Sequence, residues 1–253
     1  MIDSHAHLTL PQVFENIDAI LTRAKQAGIQ RIININTSLD ELKKGLNLEK
    51  TSPWISNAAA ITPHDAHIEN ESFFSYLEKS QLIAIGETGL DYHYYLETKE
   101  RQKDVFCDHI DLAKKKKLPL IIHCRDAFDD LFSILKGVDI PVLLHCFTGT
   151  WEIAKKALDT GFMLSFSGIV TFSKSTELKE VAKKTPLDRF LIETDTPYLS
   201  PTPYRGKPCE PAYLIETLKH IASLKEIDVQ QLTKNTTQNT LDFFSLTPYN
   251  NVL

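Results

Sequence analysis

The chain opens Met1-Ile2-Asp3-Ser4-His5-Ala6-His7-Leu8. Read as a strand, this stretch alternates its side chains between two faces. His5 and His7 then point the same way, two positions apart, and two imidazoles so placed at a strand end can grip one metal ion. Working outward, four later segments each read as an apolar run ending in a metal-competent side chain. They are Leu82-Ile83-Ala84-Ile85-Gly86-Glu87, Leu120-Ile121-Ile122-His123, Val142-Leu143-Leu144-His145 and Phe190-Leu191-Ile192-Glu193-Thr194-Asp195.

Apolar, β-branched runs alternate with segments of helical period from end to end. Strands are expected near 2–7, 31–36, 56–61, 82–87, 119–123, 141–145, 162–166 and 190–194. Helices are expected near 12–27, 39–50, 69–79, 98–117, 127–136, 150–159 and 174–184, with two more near 210–224 and 228–244. Strands alternating with helices predict a parallel sheet, and eight such units close a barrel. The expected fold class is therefore α/β, a (β/α)8 TIM barrel with an extra C-terminal helix, with residues 1–253 as a single domain. An open doubly wound sheet would want a Gly-rich phosphate loop after an early strand. Asp3-Ser4-His5-Ala6-His7 is nothing like one.

Bulk properties agree. The chain has 253 residues, 42% of them hydrophobic, which is enough for one large core. No apolar run approaches the length of a membrane span, and no basic segment followed by an apolar stretch marks a secretory signal. Cys107, Cys124, Cys146 and Cys209 show no paired spacing. They read as reduced thiols of a cytoplasmic protein. A net charge of -5 argues against coating nucleic acid through bulk charge, and leaves room for a local basic mouth.

In a barrel the active site lies at the C-terminal ends of the strands. His5, His7, Glu87, His123, His145 and Asp195 all fall there, at the ends of strands one, four, five, six and eight. Four histidines and two carboxylates can bind one metal and nearly fill a second site. Imidazole with carboxylate suits Zn, Mn, Fe or Ni, and carboxylate with water suits Mg. Asp3 and Glu193 lie two residues before ligand candidates and suit groups that orient them. Cys124 and Cys146 follow His123 and His145, and alternation turns them to the other side as packed thiols. Lys114-Lys115-Lys116-Lys117 ends a helix at the far side of the barrel, where lysines suit the helix macrodipole. Arg125, Ser167-Gly168 and Arg205-Gly206-Lys207 fall on the side of the strand ends. Loops after strands seven and eight often bind phosphate, and a guanidinium suits a phosphodiester. Tyr92, His93, Tyr94, Tyr95 and Trp151 fall in loops on the same side and are candidates for stacking on bases.

These motifs, in this order, resemble the TatD family of metal-dependent deoxyribonucleases among the amidohydrolase-like barrels. The resemblance runs through Ile2 to Leu8, Ile85-Gly86-Glu87-Thr88-Gly89-Leu90-Asp91-Tyr92, Leu118 to Ala127, His145-Cys146-Phe147-Thr148-Gly149 and Phe166 to Phe172. It ends in Leu191 to Leu199 and Arg205-Gly206-Lys207-Pro208, and so covers nearly the whole chain. It implies two divalent metal ions (Mg, Mn or Zn), with His5, His7 and Asp195 holding one, His123 and His145 the other, and Glu87 between them. Two positions depart from the family pattern. Cys209 stands where Asn is usual, and Thr62-Pro63-His64 replaces His-Pro-His, so that His64 alone is carried over as a substrate contact.

The implied function is hydrolysis of DNA phosphodiester bonds, as a 3′-5′ exonuclease whose partner is single-stranded DNA and not a membrane. Asp195 would be the catalytic base and Glu87 the group bridging or positioning the ions. Arg125, Arg205, Lys207 and Tyr92 would join His64 in contacting substrate. Related barrels hydrolyse amides, lactones and phosphotriesters, many with a modified Lys at the end of strand four, where this chain carries Glu87. A non-catalytic barrel would have lost ligands, and none is missing.

Overall fold

A computed structural model describes residues 1–68, 71–94 and 96–249. Eight strands form one sheet in sequential order: β1 (Ile2–Ala6), β2 (Arg31–Asn36), β3 (Ile55–Ala59), β4 (Ala84–Asp91), β5 (Leu120–Arg125), β6 (Val142–Leu144), β7 (Met163–Phe166) and β8 (Phe190–Ile192). Every neighbouring pair is parallel. The seam between β8 and β1 is drawn together beyond the end of β8. Ala6 bridges Thr196, the Asp195 amide donates to His5 O at 2.9 Å, and the His7 amide donates to Thr196 O at 2.8 Å. One layer deeper, the Asp3 carboxylate accepts from the Thr194 amide at 2.9 Å and from its hydroxyl at 2.6 Å. The result is a nearly closed (β/α)8 barrel, as expected.

The helices are α1 (Pro11–Phe14), α2 (Ile17–Gln26), α3 (Leu39–Thr51), α4 (Glu71–Lys79), α5 (Lys99–Lys116), α6 (Phe128–Ile134), α7 (Trp151–Asp159), α8 (Thr176–Lys184), α9 (Leu214–Lys225) and α10 (Val229–Phe243). The helix expected near 12–27 is broken, because Asn16 leaves the helical region at φ -121 and ψ 23. Residues 69 and 70, the start expected for the third helix and preceding α4, lie outside the described residues. Helix starts follow their caps: the Ser38 hydroxyl accepts from the Glu41 amide, and Asp228 accepts from the amides of Gln230 and Gln231.

Alternation along the strands divides the core. Ile33, Ile35, Ala58, Ala84, Ile121, Leu143 and Leu191 form a cluster inside the barrel. Their neighbours in sequence, among them Ile32, Ile85, Leu120, Ile122, Val142, Leu144, Leu164 and Ile192, pack outward in the larger cluster with helix residues. Phe244, just past α10, joins the interior cluster. Asn239 of α10 donates to the carbonyls of Leu187 and Phe190, both at 2.8 Å. The extra C-terminal helix thus ties itself to the entry of β8.

Two strands carry an irregularity: β1 shifts its register against β2 between Asp3 and Ala6, and β4 departs from alternation at the site. β4 was expected to end at Glu87 but runs on to Asp91, and its register against β5 shifts between Ile85 and Thr88. Ala84 faces inward and Ile85 outward, so strict alternation would send Glu87 outward with Ile85. The irregularity re-aims it. Gly86 makes this possible: its φ is +153, and a Cβ there would meet Ile121 Cβ at 2.5 Å.

Candidate metal centre

Beyond the register shift, the Glu87 and Asp91 side chains both reach the histidine cluster at the barrel mouth. The Glu87 carboxylate has two distinct sides. Its Oε2 lies 3.4 Å from His5 Nε2 and 3.6 Å from His7 Nε2. Its Oε1 lies 2.9 Å from His123 Nδ1 and 2.8 Å from His145 Nε2. Asp195 Oδ1 completes the first group, 3.7 Å from His5 Nε2 and 3.6 Å from His7 Nε2. The structure therefore brings together all six ligand candidates. Asp195 reaches the group from a left-handed backbone, φ 60, which an Asp tolerates better than most residues.

The donor set fits a cation. His5 Nε2 and His7 Nε2 face each other at 3.3 Å. Two ring nitrogens and two carboxylate oxygens separated by 3.3 to 3.7 Å outline a small cage. A tetrahedral ion with bonds of about 2.1 Å holds its ligands roughly 3.4 Å apart. Burial adds to the case, since His5 is fully buried and His7, Glu87, His145 and Asp195 are each less than a tenth exposed. His5 Nδ1 and His145 Nδ1 are buried with no hydrogen-bond partner, although Glu193 Oε1 stands 3.6 Å from the latter.

The ionisation pattern is that of a compact charge cluster. Burial pushes the Glu87 carboxyl up, but His145 and hydrogen bonds from His123, His145 and His5 outweigh it and hold it well below the usual range. His145 is held well above its usual value, because Glu87 and Glu193 outweigh the cost of burying its charge. His5 is driven down to about 4 by burial and by His145, on which its ring stacks at 4.0 Å. Of that stacked pair, His145 favours the charged imidazolium and His5 the neutral ring.

Supporting groups lie behind the ligands. Glu193, expected to orient a ligand, is fully buried and accepts from Ser165 Oγ and from the Cys146 amide, each at 2.6 Å. Asp91 is the residue that the sequence reading passed over. Its Oδ2 lies 3.1 Å from His123 Nε2 and 3.0 Å from His64 Nε2. Its Oδ1 accepts the amides of His93 and Tyr94, and Gln102 brackets its backbone with bonds of 2.8 and 3.0 Å. The period-two spacing Glu87-Thr88-Gly89-Leu90-Asp91 was the available signal, once the strand is carried past Glu87. His123 and His64 hold the Asp91 carboxyl below its usual range against the effect of burial.

The outer candidates are placed as follows. His64 is half-buried at the edge of the cluster on Asp91. The Arg125 guanidinium lies over the Tyr94 ring at 4.7 Å. Arg205 is exposed, stacks on Phe172 at 3.6 Å and donates to Ser200 O; Lys207 is exposed beside it. Tyr92 turns its hydroxyl to Asp130 at 2.7 Å, and its ring lines a cavity of about 630 Å³ with Lys99, Phe128 and Phe132. Trp151 packs against the core with Lys184 over its ring. Tyr95 lies outside the described residues. Cys124 packs against the core as expected, whereas Cys146 does not follow the alternation. β6 ends at Leu144, the chain turns through φ 43, and the Cys146 thiol lies 3.1 Å from Ser167 Oγ.

A nearly closed parallel barrel with histidines and carboxylates gathered at its C-terminal mouth is the arrangement of a metal-dependent hydrolase. A family model described as TatD related DNase matches residues 2–245, and the chain belongs to this family of metal-dependent hydrolases. It is 39% identical over 264 residues to an uncharacterized metal-dependent hydrolase of Buchnera aphidicola, covering 97% of this chain and 99% of that protein. It is 31% identical over 259 residues to the 3′-5′ ssDNA/RNA exonuclease TatD of Pectobacterium carotovorum, covering 97% of this chain and 100% of that protein. Among solved structures it is similar to the TatD homologue YjjV of Escherichia coli, with a TM-score of 0.92, 25% identity and 98% of each chain covered. No described helix is long and apolar enough to cross a membrane.

Proposed function

We propose that this protein is a phosphodiesterase that works with a pair of divalent ions, Mg, Mn or Zn, and trims single-stranded DNA from its 3′ end. The observation that carries this reading is the Glu87 carboxylate, whose two oxygens face two different histidine groups. His5, His7 and Asp195 would hold one ion, His123 and His145 the other, and Glu87 would serve both. Such ions, when bound, neutralise a phosphodiester and lower the pKa of a water molecule.

The chain's own groups supply the rest. Asp195 sits between His5 and His7 with its carboxylate at the mouth, placed to take the proton of the attacking water. As water oxygen bonds to phosphorus, the bond to the 3′ oxygen of the shortened strand breaks, that oxygen takes up a proton from solvent, and the terminal nucleotide departs as its 5′-phosphate. Arg125, Arg205 and Lys207 supply positive charge for flanking phosphates in a chain of net charge -5. The similarity to a protein named as a 3′-5′ ssDNA/RNA exonuclease supports the polarity and the choice of strand. All four cysteines are free, which suits the cytoplasm, where we place the protein.

The test is digestion of 3′- and 5′-labelled single- and double-stranded DNA with added Mg, Mn or Zn, beside lactone and amide substrates. The expected outcome is shortening of single strands from the 3′ end, abolished by chelator. Turnover of the lactone or amide with no cleavage of DNA would overturn the reading.

A further inference from the structure

Ring contacts run as one continuous row through the centre. Tyr198 meets His7 at 6.1 Å, His7 meets His5 at 5.1 Å, and His5 stacks on His145 at 4.0 Å. The row continues from His145 to His123 at 5.7 Å, to His64 at 5.3 Å and to Tyr94 at 6.4 Å. Its interior is imidazole, and its two ends are phenols. Tyr198 follows β8 and Tyr94 follows β4, strands that stand on opposite sides of an eight-stranded ring.

Both end rings are open to solvent, Tyr94 by 60% and Tyr198 by 50%. Among the described residues, the large hydrophobic side chains that are exposed are Ile68, Tyr94, Leu96 and Tyr198. Each lies in a loop that leaves the C-terminal end of a strand, β3, β4 or β8. Apolar surface gathered at one mouth, and not scattered over the helices, marks a binding face. The arrangement suits a ligand with a phosphodiester at its centre and a flat ring on either side. A single strand presents such a pattern, a base, a phosphate and a base, whereas a duplex keeps its base faces stacked. The Arg125 guanidinium, over the Tyr94 ring at 4.7 Å, adds positive charge where the strand would run on.

We propose that Tyr94 and Tyr198 are base-stacking platforms that seat the two nucleotides flanking the scissile bond of a single strand. This inference rests on the phosphodiesterase reading above. It makes the two tyrosines specificity-determining residues, and it makes the bases themselves, and not only the phosphates, part of what is recognised.

The test pairs enzyme variants with substrate variants. Tyr94→Ala, Tyr198→Ala and the corresponding Phe variants are assayed on a single-stranded oligonucleotide, and on the same strand with abasic tetrahydrofuran units flanking the cleaved bond. Each Ala variant should raise the apparent KM for the natural strand by about 5- to 100-fold, while the Phe variants keep near wild-type values. The abasic strand should cost the wild type a similar factor and cost the Ala variants little more. Metal bound per chain should be the same in all five proteins, which separates stacking from damage to the centre. Wild-type KM in both Ala variants, or an equal abasic penalty in wild type and variants, would overturn the platforms and leave the nuclease reading standing. A metal-loaded wild type that cuts no oligonucleotide would overturn the nuclease reading, and the platforms with it.

Discussion

Asp91 shows how much a site depends on a residue that offers no atom to the six-ligand cluster. An ionised carboxylate only accepts hydrogen bonds, so His123 Nε2, 3.1 Å away, is the donor. His123 Nδ1 donates to Glu87 in the same way, which holds the ring toward its charged form; with Nε2–H committed to Asp91, Nδ1 is the nitrogen that would give up its proton to serve an ion. The other Asp91 oxygen holds the amides of His93 and Tyr94, so one carboxylate fixes both a candidate ligand and the start of a loop at the mouth. Asp91→Asn is expected to weaken metal binding by roughly 10- to 100-fold while the far-ultraviolet circular dichroism stays unchanged. Titration calorimetry with Mn or Zn checks this, and an unchanged affinity would show that His123 needs no such partner.

At the scale of elements, two joints decide how loops and helices sit on the barrel. The first is between α3 and the strands β2 and β3. Asn34, Asn36 and Asn57 are buried on the outer side and bonded to one another at 2.8 to 3.1 Å, and Asn57 donates to Gly45 O at 3.0 Å. A Cβ at Gly45 would meet Asn57 Oδ1 at 2.4 Å and Asn36 Oδ1 at 2.5 Å. Gly45→Ala is therefore expected to destabilise by about 1–3 kcal/mol despite its better helix propensity, because it overpacks and breaks a buried network. Urea denaturation gives the number, and a stabilised variant would contradict the packing argument.

The second joint is His109 of α5, fully buried. Its Nδ1 donates to Val105 O at 2.7 Å, and its Nε2 accepts the Ile61 amide at 3.1 Å, ahead of the turn carrying His64. Only a neutral ring can do both. Burial, opposed by the bond to Val105, lowers its pKa from 6.5 to about 4. A depressed folded pKa contributes stability that is present above 6.5 and lost as pH falls through about 4, because the unfolded chain takes up the proton first. The loss should reach about 3 kcal/mol across that window. Stability from urea curves between pH 7 and pH 4 checks it, with His109→Gln expected to flatten the His109 share of the slope. An equal slope in that variant would assign the acid sensitivity to other groups.

For the molecule as a whole, the centre is a set of buried charges that an ion would satisfy. Anything that binds the folded chain alone stabilises it by mass action, about 2.7 kcal/mol at a hundredfold excess over Kd. In a chain of 253 residues this corresponds to a rise in Tm of roughly 5–10 °C on adding Mn or Zn to chelator-stripped protein. Glu87→Gln should lose most of that rise, since Glu87 faces both histidine groups, and it should lose activity with it. Calorimetric scans with and without ion read both effects. A variant that keeps the full rise would remove Glu87 from the centre.

The sequence by itself determined the barrel, because eight apolar runs and the helical segments between them admit few other packings. It also placed the candidate ligands together at one mouth, since His5, His7, His123, His145 and Asp195 fall at or just beyond strand ends whatever the details. Tyr92 and Trp151 show the limit of that reading. A loop position says that a ring is near the mouth, but not that Asp130 or the core has already claimed it. Only the tertiary structure decided that Glu87 faces inward, through a register break at Gly86 that no alternation pattern contains. It also decided that Asp91 stands behind His123, and that Cys146 turns toward Ser167. The physical reason is the same in each case. Periodicity is a property of regular backbone, and these residues sit where contacts with a neighbouring strand or loop, distant in sequence, override it.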